Sequence, residues 1–129
     1  MERNTKQKQL VLEAIHQLPH PTAQDILNYI KEKYPNISTG TVYRILAGFE
    51  LNNKLLHIQI PNKPDCYDYQ THNHYHLYCK KCNKVYDVEI PYLVELNQKS
   101  NEHHIEDHSI LFYGLCANCY QQQEGHYND

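Results

Sequence analysis

The sequence contains no run of about 18 consecutive apolar residues, the length that a membrane-spanning helix requires, and no apolar stretch follows Met1. We therefore expect neither a membrane span nor a secretory signal, and we predict a cytoplasmic location. The sequence also lacks internal repeats and low-complexity linkers. Its 129 residues can form one ordinary domain or two small ones. Two small domains would each bury little surface, so they would need a bound metal or a partner subunit for stability.

Basic residues are outnumbered by acidic ones, 12 to 15, which gives the chain a net charge of −3. It is unevenly distributed: residues 1–60 carry seven Lys and Arg against five Asp and Glu, whereas residues 61–129 carry five against ten. The acidic part contains all five cysteines and seven of the ten histidines. Bound divalent cations would offset its negative charge. The asymmetry indicates two functions located in two parts of the chain.

The N-terminal half carries the signals of three helices and a hairpin. Apolar residues recur at helical spacing up to Leu18, and two prolines then end the first helix. Thr22 and Ser38 are suited to cap the second and third helices. Strands are expected at residues 55–60 and 66–69, on either side of a turn. Three short helices followed by a hairpin predict a winged helix, a variant of the helix-turn-helix fold.

The third predicted helix has one apolar face and one polar face. Its polar side includes side chains suited to phosphates and base edges, so we regard these as candidate DNA contacts: Thr39, Thr41, Tyr43 and Arg44. The alternative is a plain helical subdomain whose polar face is only solvated.

In the C-terminal half, predicted strands lie on either side of one predicted helix, a pattern that indicates a small α/β unit. Strands are expected at 75–79, 84–90 and 109–115, with a helix starting at Pro91 that turns Leu93, Val94 and Leu96 inward. Such a unit exposes sheet edges, which often pair in dimers. The predicted fold class is therefore α+β, with an N-terminal winged helix and a C-terminal dimerisation domain.

Four of the cysteines form two C-x-x-C pairs, Cys79 with Cys82 and Cys116 with Cys119. In the absence of a secretion signal, we interpret them as reduced thiols that bind metal. Four thiolates in two knuckles make a closed tetrahedral Zn²⁺ site with no open position for chemistry. The alternative is four buried free cysteines.

Histidines and acids lie close to the first cysteine pair. His74 and His76 are two residues apart on a predicted strand and should face the same side. Asp68 and Asp87 lie on neighbouring predicted strands and are expected to face the same pocket. A site of nitrogen and oxygen without sulfur suits Fe²⁺ or Mn²⁺, and also Zn²⁺.

One enzymatic alternative follows from His104 and Glu106, which precede the second cysteine pair as in the H-x-E…P-C-x-x-C signature of zinc deaminases. However, no proline precedes Cys116, the interval is short, and Cys79 and Cys82 would have no role. We therefore expect a protein that is not an enzyme.

Taken together, these segments resemble the ferric uptake regulator (Fur) family of bacterial metal-responsive repressors over nearly the whole chain. The matching segments are Arg3–Gln7, His20–Ala23, Ser38–Arg44, His74–Cys79 and Tyr113–Cys116. The resemblance implies a winged helix over residues 1–69, a hinge at 70–72 and a dimerisation domain over 73–129. It also implies a structural Zn²⁺ on the four paired cysteines and a homodimer that binds a palindromic, A·T-rich double-stranded DNA operator.

Within that family, the chain looks most like the peroxide-sensing branch. There the resemblance implies one regulatory Fe²⁺ or Mn²⁺ on five residues, which here are His20, Asp68, His74, His76 and Asp87. It further implies that peroxide oxidises His20 or His74. Iron-sensing members typically carry Glu where this chain has Asp87.

Other residues leave iron- or zinc-sensing alternatives open. Arg44 follows Tyr43 as in iron-sensing members. Cys66 falls near a thiolate position of zinc-sensing members, or else is a small hydrophobic residue. Tyr75 replaces an acid that other members use for a further metal site, which leaves the role of His103, His104 and His108 open. An additional N-terminal helix seen in the family is expected to be missing or reduced.

Overall fold

The computed structural model describes residues 2–98 and 101–127. The chain divides into two compact units, Met1–Thr71 and His72–Asp129. Among the described residues, no helix combines the length and apolar character needed to cross a bilayer.

The first unit contains three helices followed by a two-stranded antiparallel hairpin. The helices are α1 (Glu2–Gln17), α2 (Ala23–Ile30) and α3 (Thr39–Leu51), and the strands are β1 (Leu56–Ile58) and β2 (Cys66–Asp68). This is the element order that the sequence predicts, although both strands are shorter than expected. Asn62 adopts a positive φ of 63° in the connecting segment, a conformation that asparagine tolerates better than most residues.

Both predicted helix caps are present in the first unit. Thr22 and Asp25 form a reciprocal capping box at the start of α2, with the Asp25 amide donating to Thr22 Oγ1 over 3.1 Å and the Thr22 amide donating to Asp25 Oδ2 over 3.0 Å. At the start of α3, the Thr41 amide donates to Ser38 Oγ over 3.1 Å. These bonds satisfy amides that have no partner within the helix and so fix where α2 and α3 begin.

The core of the first unit lies between its three helices. The side chains of α3 that the sequence assigns to the apolar face are all buried: Val42, Ile45, Leu46 and Phe49. They pack with residues of the same cluster on α1 and α2, including Val11, Ile15, Ile26 and Ile30. The opposite side of α3 is therefore left at the surface. The hairpin is fastened to the helices where the Tyr67 amide donates to the Pro21 carbonyl over 2.9 Å.

The second unit is built on a three-stranded sheet of β3 (Tyr75–Cys79), β4 (Val85–Val88) and β5 (Leu111–Gly114) in the order β4-β3-β5. The central strand β3 pairs antiparallel with β4 and parallel with β5. A final helix, α4 (Ala117–Tyr127), follows directly after β5. Within this unit β4 and β5 are edge strands, as expected for a domain that pairs with a second copy.

The prediction of a helix beginning at Pro91 is wrong. Its segment contains only a 3₁₀ turn at Val94–Leu96, with Val94 67% exposed and Leu96 44% exposed. Side-chain hydrogen bonds explain the difference, because the Leu93 amide donates to the Tyr75 hydroxyl over 2.9 Å and the Asn97 side-chain amide donates to the Tyr92 hydroxyl over 2.9 Å. In addition, no side chain caps the start of the turn at Leu93. Apolar spacing alone did not reveal these competing contacts.

Candidate metal centres and nucleic-acid interface

The four paired cysteines converge in the second unit. Cys79 ends β3, and Cys116 lies two residues after β5, the strand that runs parallel to β3 and pairs Gly114 with Cys79. The two C-x-x-C turns therefore begin at the same end of the sheet. The four sulfurs lie within 4.8 Å of one another, and Cys82 Sγ is 4.0 Å from Cys116 Sγ. This convergence favours a metal site over four unrelated buried thiols.

Backbone amides already stabilise negative charge in this cluster. The Cys82 amide donates to Cys79 Sγ over 3.4 Å, the largest of several hydrogen-bond effects that together lower the pKa of Cys79 to about 6. The Cys119 amide donates to Cys116 Sγ over 3.5 Å and lowers the pKa of Cys116. The thiol of Cys119, hydrogen bonded to Cys116, has its pKa raised to about 12. A divalent cation with tetrahedral preference would replace the remaining protons, so the residues present fit a structural zinc ion.

A tyrosine that no sequence motif indicates also contacts this centre. Tyr86 on β4 places its hydroxyl 3.4 Å from Cys82 Sγ, and its interactions with the sulfurs of Cys82 and Cys116 raise the pKa of Tyr86. The hydroxyl therefore remains protonated and can donate to thiolate. No local sequence pattern indicates this role for Tyr86, because the residue reaches the cysteines through the pairing of β4 with β3.

In the first unit, His20 and Asp68 form a nitrogen-and-oxygen pair. His20 lies in the turn between α1 and α2 with a positive φ of 43°, and Asp68 is the buried last residue of β2. His20 Nε2 is 3.3 Å from Asp68 Oδ2, and the two side chains are 13% and 5% exposed. The Gln70 amide donates to the other carboxylate oxygen over 3.0 Å and so orients Asp68. Both are ligand types for Fe²⁺, Mn²⁺ and Zn²⁺.

In the second unit, two histidines face one carboxylate. His76 on β3 pairs across the sheet with Asp87 on β4, and His74 immediately precedes β3. The Nε2 atoms of His74 and His76 lie 3.3 Å and 3.5 Å from Asp87 Oδ1. His74 Nδ1 donates to the His72 carbonyl over 2.7 Å, so in a neutral ring the Nε2 lone pair points towards the carboxylate. Two imidazole nitrogens that face one carboxylate oxygen suit a shared cation, so these residues fit a metal ion.

The expectation that Asp68 and Asp87 lie on neighbouring strands is wrong. Within the described residues, β2 pairs with β1 and bridges to Thr22 in the first unit, whereas β4 pairs with β3 in the second unit. Each aspartate lies beside a histidine of its own unit. Sequence proximity of predicted strands does not establish their pairing when a unit boundary lies between them.

The remaining histidines and cysteine have other surroundings. His108 engages both ring nitrogens, with the Tyr75 hydroxyl at 2.7 Å from Nε2 and Asn97 Oδ1 at 2.6 Å from Nδ1. Within the described residues, neither His103 nor His104 joins a group of three metal-type side chains. Cys66 is buried on β2, and burial raises its pKa to about 11, which favours the interpretation as a small hydrophobic residue.

The candidate DNA contacts lie at the start and on the outer side of α3. Thr39 and Arg44 are exposed, Tyr43 is 52% exposed and Thr41 is half-buried. Arg44 Nη2 lies 3.5 Å from Thr41 Oγ1, which in turn is 2.9 Å from Ser38 Oγ. Beside them is a cleft of about 280 Å³ whose polar lining comprises Thr41, Arg44, Asn52 and Lys8 of α1. This surface offers cations and hydroxyls of the kind that bind phosphates.

Comparisons with known proteins agree with the architecture. The model of the ferric uptake regulator family matches residues 2–113. The peroxide-responsive repressor PerR of Staphylococcus epidermidis is 33% identical over 126 residues, covering 93% of this chain and 83% of that protein. The PerR of Staphylococcus aureus is 32% identical over 121 residues, covering 91% of this chain and 82% of that protein.

Solved structures show the same fold. The Campylobacter jejuni peroxide stress regulator has a TM-score of 0.74 and 28% identity, covering 91% of each chain. The Helicobacter pylori ferric uptake regulator Fur, described with three functional metal binding sites, has a TM-score of 0.74 and 24% identity, covering 89% of this chain and 80% of that one. The predicted α+β fold class and the predicted family are thus confirmed. The chain belongs to the ferric uptake regulator family of metal-sensing transcriptional regulators.

Proposed function

We propose that this protein is a dimeric, metal-dependent repressor that releases its DNA operator when peroxide oxidises the protein. The observation that carries the proposal is two groups of His and Asp side chains, one in each unit. His20 lies beside Asp68 in the first unit, and His74 and His76 face Asp87 in the second. Neither group alone supplies the five or six ligands that Fe²⁺ or Mn²⁺ commonly takes. One ion binding all five would fasten the DNA-binding unit to the dimerisation unit.

This coupling explains how a metal would control DNA binding. In a dimer, the distance between the two α3 helices must match two half-sites on the duplex. A metal that binds only one arrangement of the units shifts the population towards that arrangement. The ligands therefore act at a distance from the DNA surface, without touching the operator.

The all-nitrogen-and-oxygen ligand set supports the peroxide response. If bound there, Fe²⁺ would activate hydrogen peroxide beside these side chains, and the peroxide would oxidise an imidazole by two electrons and itself be reduced to water. His20 or His74 would then take up one oxygen atom and lose its ability to bind the metal. Asp87 is the residue that favours this branch over the iron-sensing one, and relatives named as peroxide-responsive repressors support it.

The second metal would be a structural Zn²⁺ on Cys79, Cys82, Cys116 and Cys119. Its four sulfurs leave no position for a substrate or for peroxide. The relatives are transcriptional regulators and not enzymes, which excludes the deaminase alternative. We further infer a homodimer formed through the second unit, since its described edge strands and the exposed Phe112, Tyr113 and Val94 provide a surface for a second copy.

The DNA partner would be a palindromic, A·T-rich duplex, contacted by Thr39, Thr41, Tyr43 and Arg44. Lys8 and Arg44 flank the cleft beside α3 and could together hold one phosphate of the backbone. A repressor must reach the chromosome, so we place the protein in the cytoplasm.

A metal-by-metal titration of DNA binding tests the proposal. Fe²⁺ and Mn²⁺ should each restore binding to chelated protein, and Arg44→Ala should weaken binding of the loaded protein by roughly 1–3 kcal/mol. Equal affinity with and without metal would refute the switch. Activation by Zn²⁺ alone at low free concentration would identify a zinc sensor instead, and Fe²⁺ activation that survives peroxide would identify an iron sensor.

A further inference from the structure

The hairpin of the first unit carries a histidine held between two carboxylates. His57 on β1 has Nδ1 at 2.9 Å from Glu50 Oε1 and Nε2 at 2.7 Å from Asp65 Oδ2. Glu50 belongs to the last turn of α3, and Asp65 lies in the segment between the two strands. The imidazole thus links the helix that we assign to DNA reading to the hairpin that follows it.

The contacts of His57 suit a ring that is protonated on both nitrogens and do not suit a bound metal ion. The two carboxylates contact opposite nitrogens of one ring, so a single cation cannot bind both of them and the imidazole together. A carboxylate accepts hydrogen bonds, and each ring nitrogen must therefore carry a hydrogen to satisfy both contacts. Only the doubly protonated imidazolium does this, and it also neutralises one of the two negative charges.

The surroundings of His57 stabilise the charged ring. Its side chain is 21% exposed and stacks on Tyr67 with a centroid separation of 4.8 Å. Burial lowers the pKa of His57, but hydrogen bonds with Asp65 and Glu50 outweigh it and leave the pKa raised. The neighbouring Tyr67 stays neutral, because burial and the nearby Asp65 raise its pKa to about 12. Burial and Asp25 likewise raise the pKa of Cys66, to about 11.

We propose that His57 is a positioning residue which, as an imidazolium, holds the β1–β2 hairpin against the C-terminal end of α3 and thereby favours DNA binding at lower pH. This rests on the proposed function in one respect, since it takes α3 and the hairpin as the DNA-binding surface. Because the pKa of His57 is raised in the folded protein, its contribution is complete below the ordinary histidine value of about 6.5. It is lost as the pH rises through the raised value.

The charge on His57 can be measured without DNA. Nitrogen NMR of the full-length protein, from about pH 5 to about pH 9, should show His57 titrating above the ordinary histidine value of about 6.5, at a midpoint that His16→Gln leaves unchanged. His16 is the matched control, because it lies in the same unit and its Nδ1 contacts only the Leu12 carbonyl among the contacts described. The double variant Glu50→Gln, Asp65→Asn should lower the midpoint of His57. A midpoint at the ordinary value, unchanged in the double variant, would overturn the assignment of an imidazolium.

DNA binding then tests the positioning role. Operator affinity is measured with saturating Mn²⁺ at each pH. Between about pH 6 and about pH 8.5, the affinity of the wild type should fall about fivefold more than that of His57→Gln. A change of this size is expected for the loss of two partly exposed ion pairs. His16→Gln should follow the wild type. Parallel pH profiles for wild type and His57→Gln would overturn the positioning role. If wild-type protein bound no duplex at any pH, the proposed function would fail, whereas the NMR result would still decide the state of His57.

Discussion

Cys79 and Cys116 are the residues at which zinc binding and folding are most directly linked. Each sulfur accepts a backbone hydrogen bond and is buried, so it is prepared to bind as a thiolate. Since the free energy of metal binding contributes to folding, Cys79→Ser should release tightly held zinc and dissociate the dimer. Zinc content and light scattering measure both effects. Cys66→Ser is the control, because Cys66 lies outside the sulfur cluster and should retain zinc. A stable, zinc-free Cys79→Ser dimer would contradict the assignment.

Tyr86 gives a second prediction at the residue scale. Its hydroxyl donates towards Cys82 Sγ and stabilises the negative charge on that sulfur, the form that binds zinc. Tyr86→Phe should therefore accelerate zinc release to a chelator. We expect an effect of only about threefold, because solvent weakens the hydrogen bond to a charged sulfur at this partly exposed residue. Tyr120→Phe is the control, as Tyr120 is 53% exposed on α4. Equal release rates for the two variants would show that the Tyr86 contact has no effect on the zinc site.

Among the elements, α3 depends on a single side chain for its start. Ser38 Oγ accepts the Thr41 amide and also contacts the Thr41 hydroxyl, which lies beside Arg44. Ser38→Ala should lower the free energy of unfolding by about 1 kcal/mol and also weaken DNA binding, since Thr41 loses its orientation. Urea unfolding measures the first effect. Ser38→Asn keeps a capping side chain and should restore most of the stability; equal stability of the Ala and Asn variants would contradict the capping role.

Elements with local signals were predictable from the sequence. Caps at Thr22 and Ser38, and apolar spacing along α3, lie within a few neighbouring residues, and the structure matches them. The segment after Pro91 was not predictable, because hydrogen bonds donated to the hydroxyls of Tyr75 and Tyr92 override its helical spacing. Likewise, Tyr86 reaches the cysteines only through strand pairing, and Asp68 and Asp87 belong to different sheets. Non-local contacts of this kind leave no periodic trace in the sequence.

For the whole molecule, the proposal places control in ligands supplied by both units. His20 and Asp68 contact each other in the DNA-binding unit, and His74 and His76 face Asp87 in the other. Loss of one ligand in either unit should therefore release the DNA, even though none of the five lies on the outer side of α3. This also explains why modification of one imidazole would suffice as a signal.

Mass spectrometry of the Fe²⁺-loaded protein after brief exposure to hydrogen peroxide, scored against operator binding of the same sample, tests this account most directly. We predict one added oxygen on His20 or His74, intact cysteines at low dose, and loss of DNA binding in proportion to the oxidised fraction. Mn²⁺-loaded protein should be protected, and Asp87→Glu should retain metal but respond less. Continued DNA binding with no oxygen on either histidine would contradict the peroxide-sensing account.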